Sequence, residues 1–159
     1  MIRIIIFLIL FLSIISCGFK PMYKSDGMGV KLDKLSVNFK GDIAYEIKEE
    51  LKGFLSSDQE NKDYTVTIEA KEETLPIIIN ENGTVSKYQI DVAIYFEVTD
   101  KFGEAIINDE AVGFAQYDMP VSEIENRDLR KQMLRSATAD AASLMITKIQ
   151  SKLSSTNDN

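Results

Sequence analysis

The clearest constraint on the fold is a strict alternation of side chains in the middle of the chain, over residues 88–98. The apolar set is Tyr88, Ile90, Val92, Ile94, Phe96 and Val98, and it alternates with Gln89, Asp91, Ala93, Tyr95 and Glu97. Because successive strand residues point to opposite faces, this period of two predicts a β-strand with one buried face. The second set includes Ala93 and Tyr95, so the other face of the strand is not uniformly polar.

Two segments before this strand carry the same pattern. Leu35, Val37 and Phe39 alternate with polar residues and predict a first strand over about residues 30–39. A second strand is predicted over residues 64–71, and after residues 75–79 the Asn82-Gly83 pair marks a turn.

A hairpin is predicted at Asp100-Lys101-Phe102-Gly103, which leads from the central strand into a last strand over about residues 104–117. The alternation slips near Asp109, which indicates a bulge. Asp109 and Glu110 also invite a metal-binding or acid–base interpretation. Neighbouring strand residues point to opposite faces, however, so the two carboxylates diverge and a solvated bulge is the better interpretation.

Two amphipathic helices complete the pattern. Asp42 is placed to cap the first, in which Ile43, Ile47, Leu51 and Leu55 recur every four residues. A capping box, Ser-Glu-Ile-Glu at residues 122–125, begins a second helix of about thirty residues. The same spacing relates Met133, Ala137, Ala141, Met145, Ile149 and Leu153. The alanines would let this helix lie close to the sheet, and residues 154–159 are predicted to form a disordered tail.

The order strand, helix, three strands, helix predicts an α+β fold. We expect a two-layer sandwich, with two helices packed on one face of an about four-stranded mixed or antiparallel sheet. The 159 residues suffice for one domain. We place this domain at residues 30–153, after a signal peptide over residues 1–16 and a tether over residues 17–29.

Composition excludes several classes of function. The chain has no histidine and one cysteine, so Ser-His-Asp and Cys-His catalytic systems and the common zinc and copper sites are excluded. The net charge of −7 argues against nucleic acid as a partner, because such proteins need clustered basic residues. Carboxylate, lysine or tyrosine chemistry remains, and the sequence nowhere concentrates those groups, so we predict no catalytic residue, no metal and no cofactor.

The amino terminus has the features of an export signal. Arg3 supplies a positive charge, residues 4–15 are apolar apart from one serine, and the small Ser16 precedes Cys17. The apolar run falls short of the about 20 residues that a membrane-spanning helix needs. A signal peptide that ends at Ser16 is therefore the better interpretation.

The segment Ile14-Ile15-Ser16-Cys17 resembles the lipobox of bacterial lipoproteins. The resemblance implies cleavage between Ser16 and Cys17 and acylation of Cys17, which would anchor the protein to a membrane. Gly18 follows the cysteine where an aspartate would favour retention, which by the same resemblance implies the outer membrane. In the alternative, an ordinary secretory signal, Cys17 would be an unpaired thiol of an exported protein.

Residues 17–23, Cys-Gly-Phe-Lys-Pro-Met-Tyr, resemble the start of mature proteins of the LptE family of lipopolysaccharide-assembly lipoproteins. Members often begin Cys-Gly-Phe-Arg/Lys-Pro-Leu-Tyr, so Met22 is a departure from that pattern. Chain length, element order and the alanine-rich last helix are also similar to that family.

The resemblance implies an outer-membrane lipoprotein on the periplasmic face that catalyses nothing. Such a protein would plug the β-barrel of LptD, assist its assembly, support delivery of lipopolysaccharide to the cell surface and contact lipopolysaccharide itself. The alternative is a lipoprotein subunit of another envelope machine, for instance one that inserts outer-membrane proteins. An enzyme on a lipid tether would need a convergent polar pocket, for which the sequence offers no candidate.

Basic residues are the candidate contacts for lipopolysaccharide phosphates or for an acidic barrel lumen. Four are on the last helix, where several share a face, and two are on strands or strand ends: Arg127, Arg130, Lys131, Arg135, Lys71 and Lys87. The alternative for the helix residues is a solvated face, balanced by the nearby Glu123, Glu125 and Asp128.

Consecutive isoleucines at positions 77–79 cannot all face one core. Tyr95, Phe102 and Phe114 raise the same question. Either these residues are exposed, as insertion into a barrel would require, or the long helix covers this end of the sheet. The sequence leaves both alternatives open.

Overall fold

The computed structural model describes residues 35–55 and 62–157. The elements are β1 (Leu35–Phe39), α1 (Tyr45–Leu55), β2 (Tyr64–Ile79), β3 (Val85–Asp100), β4 (Ala105–Asp118) and α2 (Glu123–Asn157). The strands form one sheet in the order β1-β2-β3-β4. β1 pairs with β2 in parallel, and the other two pairings are antiparallel. The α+β class, the mixed four-stranded sheet and the order of elements are thereby confirmed.

The core lies between one face of the sheet, here called the inner face, and the two helices. The alternating set of β3 supplies its centre, since Ile90, Val92, Ile94 and Val98 are fully buried and Phe96 is 2% exposed. The buried apolar residues of the helices are Ile47, Leu51 and Leu55 of α1 and Leu134, Ala137, Ala141, Ala142, Met145, Ile149 and Leu153 of α2. The periods of two and four residues therefore identify most of the buried side chains. Ile43 and Met133 of the four-residue series are only partly buried, and Leu134, Thr138 and Ala142 are buried outside it.

Helix α2 lies very close to β4. A Cβ placed on Gly113 would collide with the carbonyl oxygen of Ala137 and would lie 2.5 Å from the backbone nitrogen of Ala141. Both alanines are fully buried at this contact. The expectation that alanines let the helix approach the sheet is confirmed, and Gly113 is the strand residue that permits it.

Both predicted turns are present. Gly83 and Gly103 have φ angles of +81° and +84°, which only glycine adopts at little cost. The Asn80 N–H donates to the carbonyl of Thr84 at 2.8 Å, and the Asp100 N–H donates to the carbonyl of Glu104 at 3.0 Å. These bonds close the β2–β3 and β3–β4 hairpins.

Two predictions about the strands need correction. β2 is one strand of 16 residues, with a register shift near Pro76 in place of a break. The strand tolerates Pro76 because β1 pairs with β2 only as far as Ile68, so the proline lies on a free edge. The predicted bulge near Asp109 is wrong, since Asp109 pairs regularly with Phe96 and the irregularity lies beside Val98 instead.

Hydrogen bonds in the first turns define where the two helices begin. α1 begins at Tyr45, and the Ala44 carbonyl accepts from the Lys48 N–H at 3.0 Å, so Asp42 precedes the cap position and does not occupy it. The Ser122 carbonyl does accept the first helical bond of α2, from Asn126 at 3.0 Å.

At its other end α2 continues to Asn157, so residues 154–157 are helical and not the disordered tail that we predicted. In this last turn the hydroxyls of Ser154 and Ser155 donate to the carbonyls of Ser151 and Lys152 at 3.0 Å and 2.7 Å. Within residues 35–55 and 62–157, no helix is both long and apolar enough to cross a bilayer. The predicted signal peptide, the tether and the start of the first strand lie outside the described residues, as do residues 158–159.

Candidate functional site

The sheet face opposite the helices carries a strip of exposed apolar side chains. Tyr95 is 41% exposed, Val112 50% and Phe114 59%. In the register of β3 with β4, Tyr95 lies opposite Glu110, so Val112 and Phe114 follow it along a diagonal across the two strands. We call these three residues the open-face strip. Both helices pack on the inner face. Among the described residues, no element therefore covers the open-face strip, and a partner can contact it.

Carboxylates dominate the surroundings of the open-face strip. The residues of this face with carboxylate side chains are Glu69, Glu73, Asp91, Glu97, Glu110 and Asp118, the last of which pairs with Lys87 on the same face. Lys71 is an exception: its Nζ lies 5.4 Å from the ring centroid of Tyr95 and 3.6 Å from Glu69 Oε1. Electrostatic complementarity therefore favours a partner surface that is apolar at its centre and basic around it.

A second apolar surface lies where β2 turns into β3. Ile77, Ile78 and Ile79 are 39%, 49% and 61% exposed. The Met119 N–H donates to the Ser86 carbonyl at 2.9 Å, which brings the connection between β4 and α2 to the same end of the sheet. We call Ile77–Ile79 the isoleucine end. The alternative in which α2 covers these isoleucines is wrong, and Tyr95, Phe102 and Phe114 are exposed as well.

Arg130 and Lys131 on α2 are paired with carboxylates of other elements. Arg130 Nη2 lies 2.8 Å from Oε1 of Glu72 on β2, and Lys131 Nζ lies 3.9 Å from Oε1 of Glu46 on α1. The balancing charges thus come from the sheet and from the other helix, not from the neighbouring acids of α2 that the sequence pointed to. These ion pairs link α2 to both elements.

The remaining predicted basic residues do not form a common site with this pair. Lys71 is on the open face, and Lys87 Nζ lies 3.5 Å from Asp118 Oδ1. Arg127 and Arg135 are exposed, and no ion pair of either is seen among residues 35–55 and 62–157. Of the helix residues, these two arginines are the ones with guanidinium groups available to an external anion. Ser16 and Cys17 lie outside the described residues.

Asp109 and Lys148 form an ion pair at the free edge of β4. Lys148 Nζ donates to Asp109 Oδ1 at 2.9 Å and to the Glu110 carbonyl at 2.7 Å. Asp109 Oδ1 also accepts the Glu110 N–H at 2.8 Å. The Lys148 hydrogen bond and then the Glu110 N–H hold the pKa of Asp109 below its ordinary value. Both backbone polar groups of Glu110 are thus bonded to side chains, which protects this part of the edge from another strand.

The ion pair with Lys148 explains why the polar Asp109 occupies one of the inward-facing positions of β4. Asp109 points to the inner face and Glu110 to the open face, as alternation predicts, so the two carboxylates do diverge. No group of three side chains able to hold a metal ion occurs within the described ranges. Sequence reasoning missed Lys148 as the partner, since 39 residues separate it from Asp109.

No protein-family model matches the sequence, and no curated protein matches it by sequence. Solved structures do match it by fold. A chain from Caulobacter crescentus, assigned as a lipoprotein, has a TM-score of 0.63 at 14% identity and covers 79% of this chain and 93% of its own. The rare lipoprotein B of Shewanella oneidensis has a TM-score of 0.56 at 14% identity, with coverages of 74% and 93%. A minor lipoprotein of Acinetobacter baumannii has a TM-score of 0.54 at 14% identity, with coverages of 79% and 93%. This chain therefore has a fold that is similar to that of several bacterial lipoproteins.

Proposed function

We propose that this protein is an outer-membrane lipoprotein and a structural subunit of the lipopolysaccharide translocon. In this role it plugs an LptD-type β-barrel, assists assembly of the barrel and supports lipopolysaccharide delivery to the cell surface. The lipobox-like residues 14–17 support the lipid anchor at Cys17, and residues 17–23 support the LptE-like identity. The fold, similar to that of bacterial lipoproteins, agrees with both.

The observation that carries the proposal is the amount of large apolar side chain that the folded domain leaves exposed. The open-face strip and the isoleucine end each present three such residues. Exposed apolar surface in one contiguous patch is a feature of interaction sites. A protein that lies within a barrel lumen is surrounded by its partner, so a lateral face and one end would both be buried.

The distribution of charge assigns different roles to the basic residues in this proposal. Arg130 and Lys131 bind Glu72 and Glu46, so they stabilise the packing of α2. Arg127 and Arg135 have exposed guanidinium groups, which suit bidentate binding of lipopolysaccharide phosphates. The acidic open face favours a basic patch on the lumen wall that it contacts.

The test is affinity purification of the full-length protein, tagged after Asn159, from detergent-solubilised outer membranes, with mass spectrometry of the co-purifying proteins. We expect a near-stoichiometric large β-barrel that carries a periplasmic lipopolysaccharide-transport domain. Recovery of unrelated envelope proteins would favour the alternative, an accessory subunit of another envelope machine. Recovery of the protein alone would contradict both.

A paired substitution tests whether the open face is the contact surface. The double variant Val112→Ser and Phe114→Ser should reduce recovery of the barrel with little change in stability, because both side chains are at least half exposed. Tyr45→Ser is the matched control, since Tyr45 is 71% exposed on α1, on the other layer of the fold. Equal barrel recovery with both variants would remove the open face from the proposal.

A further inference from the structure

Strand β2 has an unpaired edge beyond the end of β1. β1 pairs with β2 as far as Ile68, whose carbonyl accepts the Lys40 N–H at 2.8 Å. β2 continues to Ile79. In the part of the chain that the structure describes, no other strand lies on this side of β2. We call residues 70–76 on this side the β2 edge, which is about 20 Å long at ~3.3 Å per strand residue.

Backbone groups on the β2 edge point outward in a regular series. The N–H and carbonyl groups of alternate strand residues face the same side, so the residues in line with Ile68 follow at every second position. They are Ala70, Glu72 and Thr74, whose outward backbone groups have no partner among the described residues. Pro76 is next in the series, and it has no N–H to leave unpaired. The edge is therefore a template for an added strand, which would bond to each of these groups.

The other edge of the sheet is less suited to strand addition. On β4 the Glu110 N–H donates to Asp109 Oδ1, and the Glu110 carbonyl accepts from Lys148 Nζ. An added strand would find both backbone groups already bonded at this position. The series on the β2 edge has no such interruption among the described residues. This difference assigns strand addition to β2.

The inner side of the β2 edge is an open cleft where α1 begins. The cleft has a volume of about 440 Å³ and is lined by Asp42, Ala44, Ile47, Ala70, Lys71 and Glu72. Ile47 and Ala70 are 1% and 6% exposed, and they form an apolar floor. An added strand would turn every second side chain toward this cleft. A β-branched apolar residue at these positions would bury apolar surface against the floor.

The open-face side of the β2 edge is acidic. Glu69 and Glu73 lie there with Lys71 between them. Lys71 Nζ is 3.6 Å from Glu69 Oε1 and 5.4 Å from the ring centroid of Tyr95, so this lysine extends toward β3. Glu73 has no ion pair within residues 35–55 and 62–157. This side therefore favours an added strand with lysine or arginine at every second position and disfavours an acidic one.

We propose that the β2 edge binds an extended segment of a protein partner by strand addition. This segment carries basic side chains on the open-face side and apolar side chains on the cleft side. The occupant is a polypeptide, because a second backbone offers donors and acceptors at the spacing of the edge. The inference goes beyond the proposed function and does not depend on it. The two are compatible, since a barrel that encloses the domain surrounds this edge together with the open face and the isoleucine end.

The probe is a synthetic heptapeptide of alternating lysine and valine, added to the full-length protein in detergent micelles. Its matched control has glutamate in place of every lysine. Amide hydrogen exchange, followed by NMR, reports on each backbone position. The Ala70, Glu72 and Thr74 amides should exchange rapidly without peptide and at least about tenfold more slowly at saturation with the lysine peptide. The Lys71 and Glu73 amides face β3, so their exchange should be slow in both states.

Two substitutions at one position isolate the backbone contribution. Thr74→Pro removes an N–H that has no partner among the described residues, whereas Thr74→Val keeps it. Thr74→Pro should weaken binding of the lysine peptide about three- to tenfold, the value of one hydrogen bond, and Thr74→Val should leave it unchanged. Glu73→Lys should also weaken binding, because it reverses the charge beside the added strand. This variant leaves the backbone intact, so it tests the proposal even where the proline variant fails to fold.

Each outcome decides the proposal. Absence of binding by the lysine peptide, equal binding of the glutamate peptide, or unchanged exchange of the edge amides at saturation overturns it. Slow exchange of those amides without peptide that depends on protein concentration identifies a second copy of the chain as the occupant, and overturns it as well. Selective slowing with the lysine peptide supports the inference even where the pull-down recovers no barrel, so this test and that of the translocon role fail separately.

Discussion

Substitution of Gly113 by alanine tests the central packing contact of the fold. The added Cβ would overlap the carbonyl oxygen of Ala137 and would lie 2.5 Å from the nitrogen of Ala141 and 3.0 Å from Cβ of Asp140. Two of these three atoms belong to the helix backbone, so no side-chain rotation can relieve the overlap. Helix α2 would have to move away from β4, which would loosen its contacts with the sheet.

The magnitude follows from the cost of overpacking. Extra methylene groups in a well-packed core cost about 1–3 kcal/mol, occasionally more. Backbone obstruction puts Gly113→Ala at the upper end, and loss of the strand glycine returns about 0.5–1 kcal/mol because alanine is less flexible in the unfolded chain. We expect a net loss of about 2–2.5 kcal/mol in the free energy of unfolding, which is a large part of the ~5–15 kcal/mol of a typical domain.

The assay is urea unfolding of the purified full-length protein, followed by far-ultraviolet circular dichroism. Gly53→Ala is the matched control, because Gly53 is in α1 and a Cβ there would meet no atom within 4 Å. That variant should gain up to about 1 kcal/mol from helix propensity. The same chemical change would thus have opposite signs at the two positions. An unchanged urea midpoint for Gly113→Ala would refute the close contact between α2 and β4.

The other predictions concern the core and two partly exposed ion pairs. Leu51→Ala should cost about 2–5 kcal/mol in urea unfolding, because Leu51 is fully buried, and a loss below 1 kcal/mol would contradict its place in the core. A double-mutant cycle of Arg130→Met and Glu72→Gln should give a coupling below about 1 kcal/mol, since both side chains are partly exposed, and a larger value would show that the pair is better shielded than described. Lys148→Met should raise the pKa of Asp109 toward its ordinary value of 3.8 in a carboxyl NMR titration. Because the folded pKa is the lower one, the stabilisation is present above the unfolded pKa and is lost as the pH falls through the folded pKa. Asp109→Asn should therefore lose less stability on acidification than the parent, and identical acid limbs would contradict the pairing.

Local sequence pattern predicted the elements and their buried faces because these depend on near neighbours. The alternation of residues 88–98 and the four-residue spacing in α2 both reflect one face packed against a core. The turns at Gly83 and Gly103 were also predictable, since their positive φ angles need glycine. The exposure of the isoleucine end could not be predicted, because it depends on whether α2, which is distant in sequence, covers these residues.

Long-range pairing was beyond the sequence. Asp109 interrupts the apolar alternation of β4, and this interruption indicated a bulge. An aspartate occupies that position because it pairs with Lys148 of α2. Arg130 and Lys131 were assigned balancing acids within their own helix, because helical neighbours are the partners that a sequence displays. Their partners are on β2 and α1. Gly113 could have been found from the sequence, because a glycine inside a strand often marks a place where another backbone approaches closely.

The agreement of strand order with chain order determines the order in which the sheet can form. Each strand pairs with the strand next to it in sequence, so the sheet can grow in the direction of synthesis without long loop closures. Helix α1 covers only part of the inner face of that sheet, and the rest stays uncovered until α2, the last of the described elements, packs on it. The partly folded chain therefore presents an apolar surface to chaperones or to aggregation until α2 is in place. Because the buried residues of α2 extend from Leu134 to Leu153, a chain that ended before Leu134 would leave the sheet without this helix.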